Sequence, residues 1–404
     1  MFVMILKSTL FKVLEAQKTN LNQSDLGLRR DTFKVLPDLT SHALIVSGIR
    51  RCGKSTLLYQ LLEEKYPEAL YLNFEDTRLY DFDQKDFVRL DALVNETQSK
   101  VLFFDEIQII PNWERYVRQK LDEKYQIVIT GSNASLLSKE LGTKLTGRHI
   151  TKELFPFSFN EFISFKQIEA SAASCTLYLE TGGFPEYVKS GIEEILHHLF
   201  EDILIRDIVV RYGIRDVKTL QRMALYLISN VGKLITGNRL KGLFEIGSTT
   251  TVMDYLSYLE ATYLFHFIPK FSYSVRKQLV NPRKLYAIDT GMIGVNSGSF
   301  TDDHGRKFEN MIFIYLRRQF NEVYYFAEKG ECDFVIFNKS AVYQLIQVCY
   351  ELNQDNMDRE LNGLFEAMEY FNLPEGRIVT LDQADEFEKN GKIVKVIPAH
   401  EFMI

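Results

Sequence analysis

The stretch "HALIVSGIRRCGKSTLLYQLL", residues 42–62, constrains the chain more than any other. Its apolar run "ALIVS" reads as a strand buried on both faces of a parallel sheet. The run enters Gly48, Ile49, Arg50, Arg51, Cys52, Gly53, Lys54, Ser55 and Thr56, whose Gly-x-x-x-x-Gly-Lys-Ser spacing is that of a phosphate-binding loop. Leu57, Leu58, Leu61 and Leu62 then recur as one helical stripe. Strand, glycine-bearing turn and helix in that order gather unpaired N–H groups and the positive end of a helix at one spot, which favours phosphate. Lys54 would reach the outer phosphates and Ser55 would hold Mg²⁺. The loop therefore predicts a nucleotide site made by Gly48, Arg50, Arg51, Cys52, Gly53, Lys54, Ser55 and Thr56, with Arg50 and Arg51 either steering phosphate or meeting acids such as those of "NFED" (73–76). The plain alternative is a strand-to-helix turn without a ligand.

Two further strand ends support the nucleotide reading. "KVLFFDEIQ" (100–108) is an apolar strand closing on two acids. Asp105 would share the Mg²⁺, and Glu106 would act as general base toward the attacking water. Otherwise the pair is a solvated acidic turn. "QIVITGSN" (126–133) ends in Thr130, Ser132 and Asn133, placed to touch a γ-phosphate or the water, or equally to cap a helix over "ASLLSKEL" (134–141). Arg148 precedes a short strand. It suits a charge-stabilising arginine acting on a neighbour's nucleotide, or a plain surface residue. The runs "LIVS", "LYLNF", "VLFFD" and "IVITG" alternate with helical patterns, so the fold class is α/β with a parallel sheet and a site at the strand C-termini.

At 404 residues the chain exceeds what one core holds, and two or three domains are expected. A formal charge of −6 excludes a uniformly basic nucleic-acid wrapper while leaving room for a local basic face. The four cysteines, Cys52, Cys175, Cys332 and Cys349, have no metal-ligand spacing and read as reduced thiols. The start "MFVMILKSTLFKVLEAQ" reads as an amphipathic helix, lacking the basic lead and cleavage site of a signal peptide. No apolar run reaches about 18 residues, so no membrane span is expected and the location expected is cytoplasmic.

Taken together, "GIRRCGKST", "LNFED", "FFDEIQ", "ITGSN", "LTGR" and "PFSFNEF" resemble the prokaryotic AAA-type ATPases that carry a C-terminal domain of unknown function. The resemblance continues through "TGGFPEYV" (181–188), "LIRDIVVRYGIRD" (204–216) and "KLYAIDTGM" (284–292). It implies ATP hydrolysis with Mg²⁺ by an AAA-like module over 1–165, a winged-helix-like region over 166–290, and a domain similar to PD-(D/E)xK nucleases over 291–404. It implies little about biological role.

The middle reads as three helices followed by extended "FHFIPKFSYSV". Between Glu260 and Asp289 no acid occurs, whereas Lys270, Arg276, Lys277, Arg283 and Lys284 are basic and Phe267, Phe271 and Tyr273 lie among them. This stretch suits a wing on DNA phosphates, or a hairpin packed on an acidic face. In the nuclease-like region Glu309, Asp333 and Gln347 match the metal-binding pattern, and Cys349 stands where the lysine belongs. A thiol carries no positive charge there, so the expectation is a nuclease-like fold without cleavage, in which Glu309 and Asp333 are structural remnants, unless a lysine from elsewhere, such as Lys329 or Lys339, substitutes. Three functions follow: an ATP-driven switch acting on DNA or a protein partner, an ATP-regulated Mg²⁺ nuclease, and an interaction module whose nucleotide orders the fold. An arginine acting in trans would require a homo-oligomer.

Overall fold

In the computed structural model, which describes residues 5–23, 25–97, 99–133, 145, 147–298 and 303–404, the apolar runs around the loop become one sheet. Its strands are β1 (Ala43–Ser47), β2 (Leu70–Asn73), β3 (Val101–Asp105), β4 (Gln126–Gly131) and β5 (His149–Glu153). They lie in the order β2-β3-β4-β1-β5 with every neighbouring pair parallel. All five residues of β1 are buried, as a central strand covered on both faces must be. The helix Lys54–Glu64 follows the loop directly. The helix expected over 134–141 lies outside the described residues.

The helix Lys7–Gln23 packs beside the edge strand β2. Gln17 Nε2 donates to the Asn73 carbonyl at 3.0 Å, and Gln17 Oε1 accepts from the Asn73 N–H at 2.8 Å. One side-chain amide thus answers both backbone groups at the end of the strand. Behind the sheet an aromatic cluster fills the core, with Phe87 stacked on Tyr116 at 4.2 Å and Phe74 edge-on to Phe82 at 5.3 Å.

The chain divides into two compact units, Met1–Leu154 and Phe155–Ile404. The second begins with the helices Phe159–Lys166, Ala172–Thr181, Pro185–Ser190 and Glu194–Asp202. The helix Val217–Ile228, β6 (Leu234–Ile235), the helices Gly237–Leu243 and Thr249–Ala261, β7 (Phe265–Pro269) and β8 (Arg283–Ala287) follow. Here β6, β8 and β7 form an antiparallel sheet in that order. Ser248 caps the helix Thr249–Ala261 by accepting from the Thr251 N–H at 3.0 Å, as its Ser/Thr run predicts. The extended reading of "FHFIPKFSYSV" holds to Pro269. Beyond it, Val275–Val280 is a helix with no buried residue, tied down by Gln278 Nε2 donating to the Ser272 carbonyl at 2.7 Å.

After the helix His304–Gln319 come β9 (Glu322–Ala327), β10 (Glu331–Asn338), β11 (Ala341–Val348), β12 (Glu375–Thr380), β13 (Asp385–Lys389) and β14 (Lys392–Pro398). They form one mixed sheet, β13-β14-β12-β11-β10-β9. The helix Met357–Tyr370 connects β11 to its parallel neighbour β12, as a parallel pair requires. Two sequence motifs meet at glycines in this unit. A Cβ on Gly183 would stand 2.2 Å from the Phe157 carbonyl oxygen, and one on Gly291 would stand 2.1 Å from that of Thr181. The Asp289 carboxylate accepts from the Gly183 N–H at 2.6 Å and caps the next helix through the Met292 N–H at 3.0 Å. No helix among the described residues is long and apolar enough to cross a membrane.

Candidate active site

The loop leaves β1 at Ser47 and turns through three residues of positive φ: Gly48 at 149°, Arg51 at 61° and Gly53 at 100°. A Cβ on Gly48 would meet the Leu154 carbonyl oxygen at 2.1 Å, so only glycine passes there. Arg51 takes the left-handed conformation with a full side chain, a strained state typical of loops shaped for a ligand. Lys54 is buried at the first turn of its helix, and its Nζ donates to the Gly48 and Ile49 carbonyls at 3.0 Å each. Ser55 and Thr56 follow it, half-buried. Arg50 pairs with Glu75 at 3.3 Å. Cys52 contributes backbone rather than thiolate, since its thiol is buried against the Leu154 carbonyl at 3.3 Å and burial pushes its pKa up.

At the end of β3, Asp105 is fully buried. It accepts from the Tyr71 hydroxyl at 2.9 Å and from Thr130 Oγ1. Burial, and then the Asp105 charge, hold the Tyr71 phenol protonated. Glu106 leaves the strand at φ 54°, its N–H donating to Thr130 Oγ1 at 3.1 Å and its carboxylate accepting from Gln108 Nε2. Burial pushes the Glu106 carboxyl above its ordinary value, Lys54 pulls it down and Asp105 pushes it up again. Thr130 therefore braces β3 against β4. The Ser132 hydroxyl beyond it is buried with no hydrogen-bond partner among the described residues, and Asn133 is fully buried beside it. Arg148 pairs with Asp122 at 2.9 Å. The loop, Asp105, Glu106, Ser132 and Asn133 are ends of three adjacent parallel strands, β1, β3 and β4.

Sequence reading missed most of the residues that hold these groups; Glu75, one of the acids of "NFED" offered to Arg50 and Arg51, is the exception. Arg30, buried, donates to the Cys52 carbonyl at 2.7 Å and so props the loop from outside the motif. Tyr71, Glu75 and Gln108 brace Asp105, Arg50 and Glu106 in turn. Gln108 sits two residues from Glu106 and was findable; Arg30 and Tyr71 carry no spacing that points to their partners.

In the second unit Glu309 and Asp333 come together around Lys284, which the sequence offered to DNA phosphates or to an acidic face and which meets the acids. Lys284 is buried, with Nζ 2.7 Å from Asp333 Oδ1, 2.9 Å from Glu309 Oε1 and 3.0 Å from Glu331 Oε1. Burial opposes its charge, yet Asp333, Glu309 and Glu331 carry its pKa well above the ordinary lysine value. Tyr286, two residues along β8 and so on the same face, donates to Glu309 at 2.5 Å. Burial and then Asp333 push Glu309 up to about 7. Asp333 Oδ2 also accepts from the Val348 N–H at 2.9 Å, and Gln347 bridges the Asp333 N–H to Glu360. Cys349 points elsewhere, its thiol donating to the Glu351 carbonyl at 3.1 Å and pushed up to about 11 by burial. Among the described residues no three His, Cys, Asp or Glu side chains are arranged to hold a metal ion.

Residues 40–163 match the AAA domain family, and residues 173–302 match a domain of unknown function, DUF8612. The chain is 32% identical over 416 residues to Uncharacterized protein MJ1544 of Methanocaldococcus jannaschii, covering 96% of this chain and 92% of that protein. It is 30% identical over 344 residues to an uncharacterized protein of Haemophilus influenzae, covering 80% and 86%. Among solved structures it aligns with the Thermotoga maritima RuvB Holliday junction branch migration motor at 20% identity, over 65% of this chain and 88% of that one, with a TM-score of 0.31. The C. elegans PCH-2 structure aligns at 14% identity, over 62% and 68%, with a TM-score of 0.24. The family follows from the sequence matches: the chain belongs with these two uncharacterized relatives, and within it residues 40–163 match the AAA domain.

Proposed function

We propose that the chain hydrolyses ATP with Mg²⁺ and works as a nucleotide-driven switch on a partner. The observation that carries this reading is the meeting of the loop, Asp105 with Glu106, and Ser132 with Asn133 at three adjacent strand ends, with Glu106 held beside the Lys54 charge. The N–H groups of Gly48 to Thr56 would hold the phosphates, while Ser55 and Asp105 would hold Mg²⁺. Glu106 takes a proton from the attacking water, and the orphaned Ser132 hydroxyl and Asn133 face the outer phosphate. Arg148 serves a neighbouring copy only after giving up Asp122.

The order helix, strand, two helices and two strands, the last two joined through the short helix Val275–Val280, over 217–287 supports a winged-helix-like reading of 166–290, which is a protein-binding as well as a DNA-binding form. DNA contact through 270–284 has fewer cations to use than the sequence offered, because Glu328 takes Lys270 at 3.0 Å and the acid cluster takes Lys284. The second reading, an ATP-regulated Mg²⁺ nuclease, has one observation in its favour: an amine, that of Lys284, stands at Asp333 despite Cys349.

Steady-state Mg²⁺-ATP hydrolysis tests the first reading, with duplex DNA present and absent. Lys54→Ala and Glu106→Gln should each abolish turnover, the latter by about 10²- to 10⁴-fold as expected for a lost general base. ATP binding without turnover in the wild type would overturn it. DNA scission that needs Mg²⁺ and is lost in Asp333→Asn would establish the nuclease reading instead.

A further inference from the structure

The basic stretch 270–284 is divided by the fold. With Lys284 buried among acids and Lys270 paired to Glu328, what the stretch leaves most open to solvent is the short helix Val275–Val280. Tyr273 is 80% exposed, Val275 68%, Leu279 67% and Val280 72%. Arg276 and Lys277 are exposed beside them, with no acidic partner among the described residues. A phosphate backbone rewards cations and amide donors and offers nothing to three large aliphatic side chains. An exposed apolar cluster edged with cations fits a protein groove whose floor is apolar and whose rim is acidic.

The first unit carries such a groove. A cavity of about 1060 Å³ opens between the helix Lys7–Gln23, the end of the helix Lys54–Glu64 and β2. Leu14, Leu62 and Leu70 line it, and Glu15, Glu63 and Glu68 stand exposed on its rim, against the single lysine Lys18 in the lining. None of these three glutamates has a cationic partner among the described residues. An amphipathic helix seated in an apolar groove is a common recognition mode.

We propose that the helix Val275–Val280 of one copy docks in this groove of a second copy, with Val275 and Leu279, one turn apart on the same face, on the leucine floor, Arg276 at the side of that face against the glutamate rim, and Lys277 adding to the positive charge of the helix. The contact joins different patches on the two copies, so it repeats head to tail. It is independent of the nucleotide chemistry, and the measurement is made without nucleotide, so its failure leaves the ATPase reading untouched.

Sedimentation equilibrium of the full chain at low salt tests it. The wild type should associate in a concentration-dependent way. Leu279→Asp, fully foldable because the residue is exposed, should weaken association by roughly tenfold or more. The pair Arg276→Glu/Lys277→Glu should weaken it too, as should the pair Glu63→Lys/Glu68→Lys. Combining all four reversals in one chain should recover association, because the signs again oppose. A wild type that stays monomeric, association indifferent to Leu279→Asp, or a fourfold reversal no stronger than either pair would each overturn the proposal.

Discussion

Glu106 shows how one backbone angle and one charge balance set up a catalytic group. Its φ of 54° turns the chain off β3 and leaves the carboxyl among the loop residues rather than in the strand. The working form of a general base is the carboxylate, and burial and Asp105 both disfavour it. Activity should therefore fall on the acid side at a pH above that of an ordinary glutamate, because the protonated form persists to higher pH. Arg50 is among the charges that pull the carboxyl down, so Arg50→Gln should move this limb further up. The kcat/KM–pH profile, which reports groups of the free protein, reads both; a limb at or below the ordinary glutamate value would sink the assignment. The acid itself was legible in the sequence because it ends an apolar strand at the expected distance from the loop. Lys284 took the second of the two places the sequence offered it, against acids rather than on DNA, and only its depth of burial was hidden. A strand shows only alternation, and the signal that Lys284 points inward was its sharing a face with Tyr286, a residue whose hydroxyl also seeks a buried acid.

Among elements, β8 does more than complete a small sheet. It carries Lys284 and Tyr286 to Glu309 on the helix His304–Gln319 and to Asp333 on β10. Removing the Lys284 cation strands the buried carboxylates it touches, which typically costs about 3–5 kcal/mol. Lys284→Met should lower the urea midpoint accordingly, and adding Asp333→Asn should recover part of the loss. If Lys284→Met proves neutral, the cluster is not holding the elements together. The glycine motifs teach the same lesson from another side. "TGGFP" and "DTGM" look like site signatures, yet their glycines allow two backbones to touch, and Asp289 stitches them together. A motif in one dimension does not say whether the space it clears is for a ligand or for the chain itself.

Across the whole molecule, the first sheet was the most legible part, because central parallel strands are continuous apolar runs. That β5 lies beside β1 was not, since strand order depends on pairings that no local pattern records. The same holds for the helix Val275–Val280, whose short sequence lacks the burial that makes periodicity readable. Each unit has its own core: one around the Phe74–Phe104–Tyr116 cluster, the other including the apolar layer of the six-stranded sheet. Separate cores predict separate unfolding. Calorimetry should resolve two transitions, with Mg²⁺-ATP raising only the one belonging to Met1–Leu154 and Lys284→Met lowering only the other. A single transition shifted by both would show one cooperative body.

The Gln17 amide has a consequence for how such a molecule meets its own kind. It presents to Asn73 a donor and an acceptor set side by side, which is what the next strand of a sheet would have brought. The sheet stops at β2 because its last row is cast off by a residue 56 positions upstream. A stranger arriving there with an extended chain finds the terminal rung already filled. Contact between copies on this side is left to side chains, and so to shape and charge rather than to the indiscriminate grammar of the main chain.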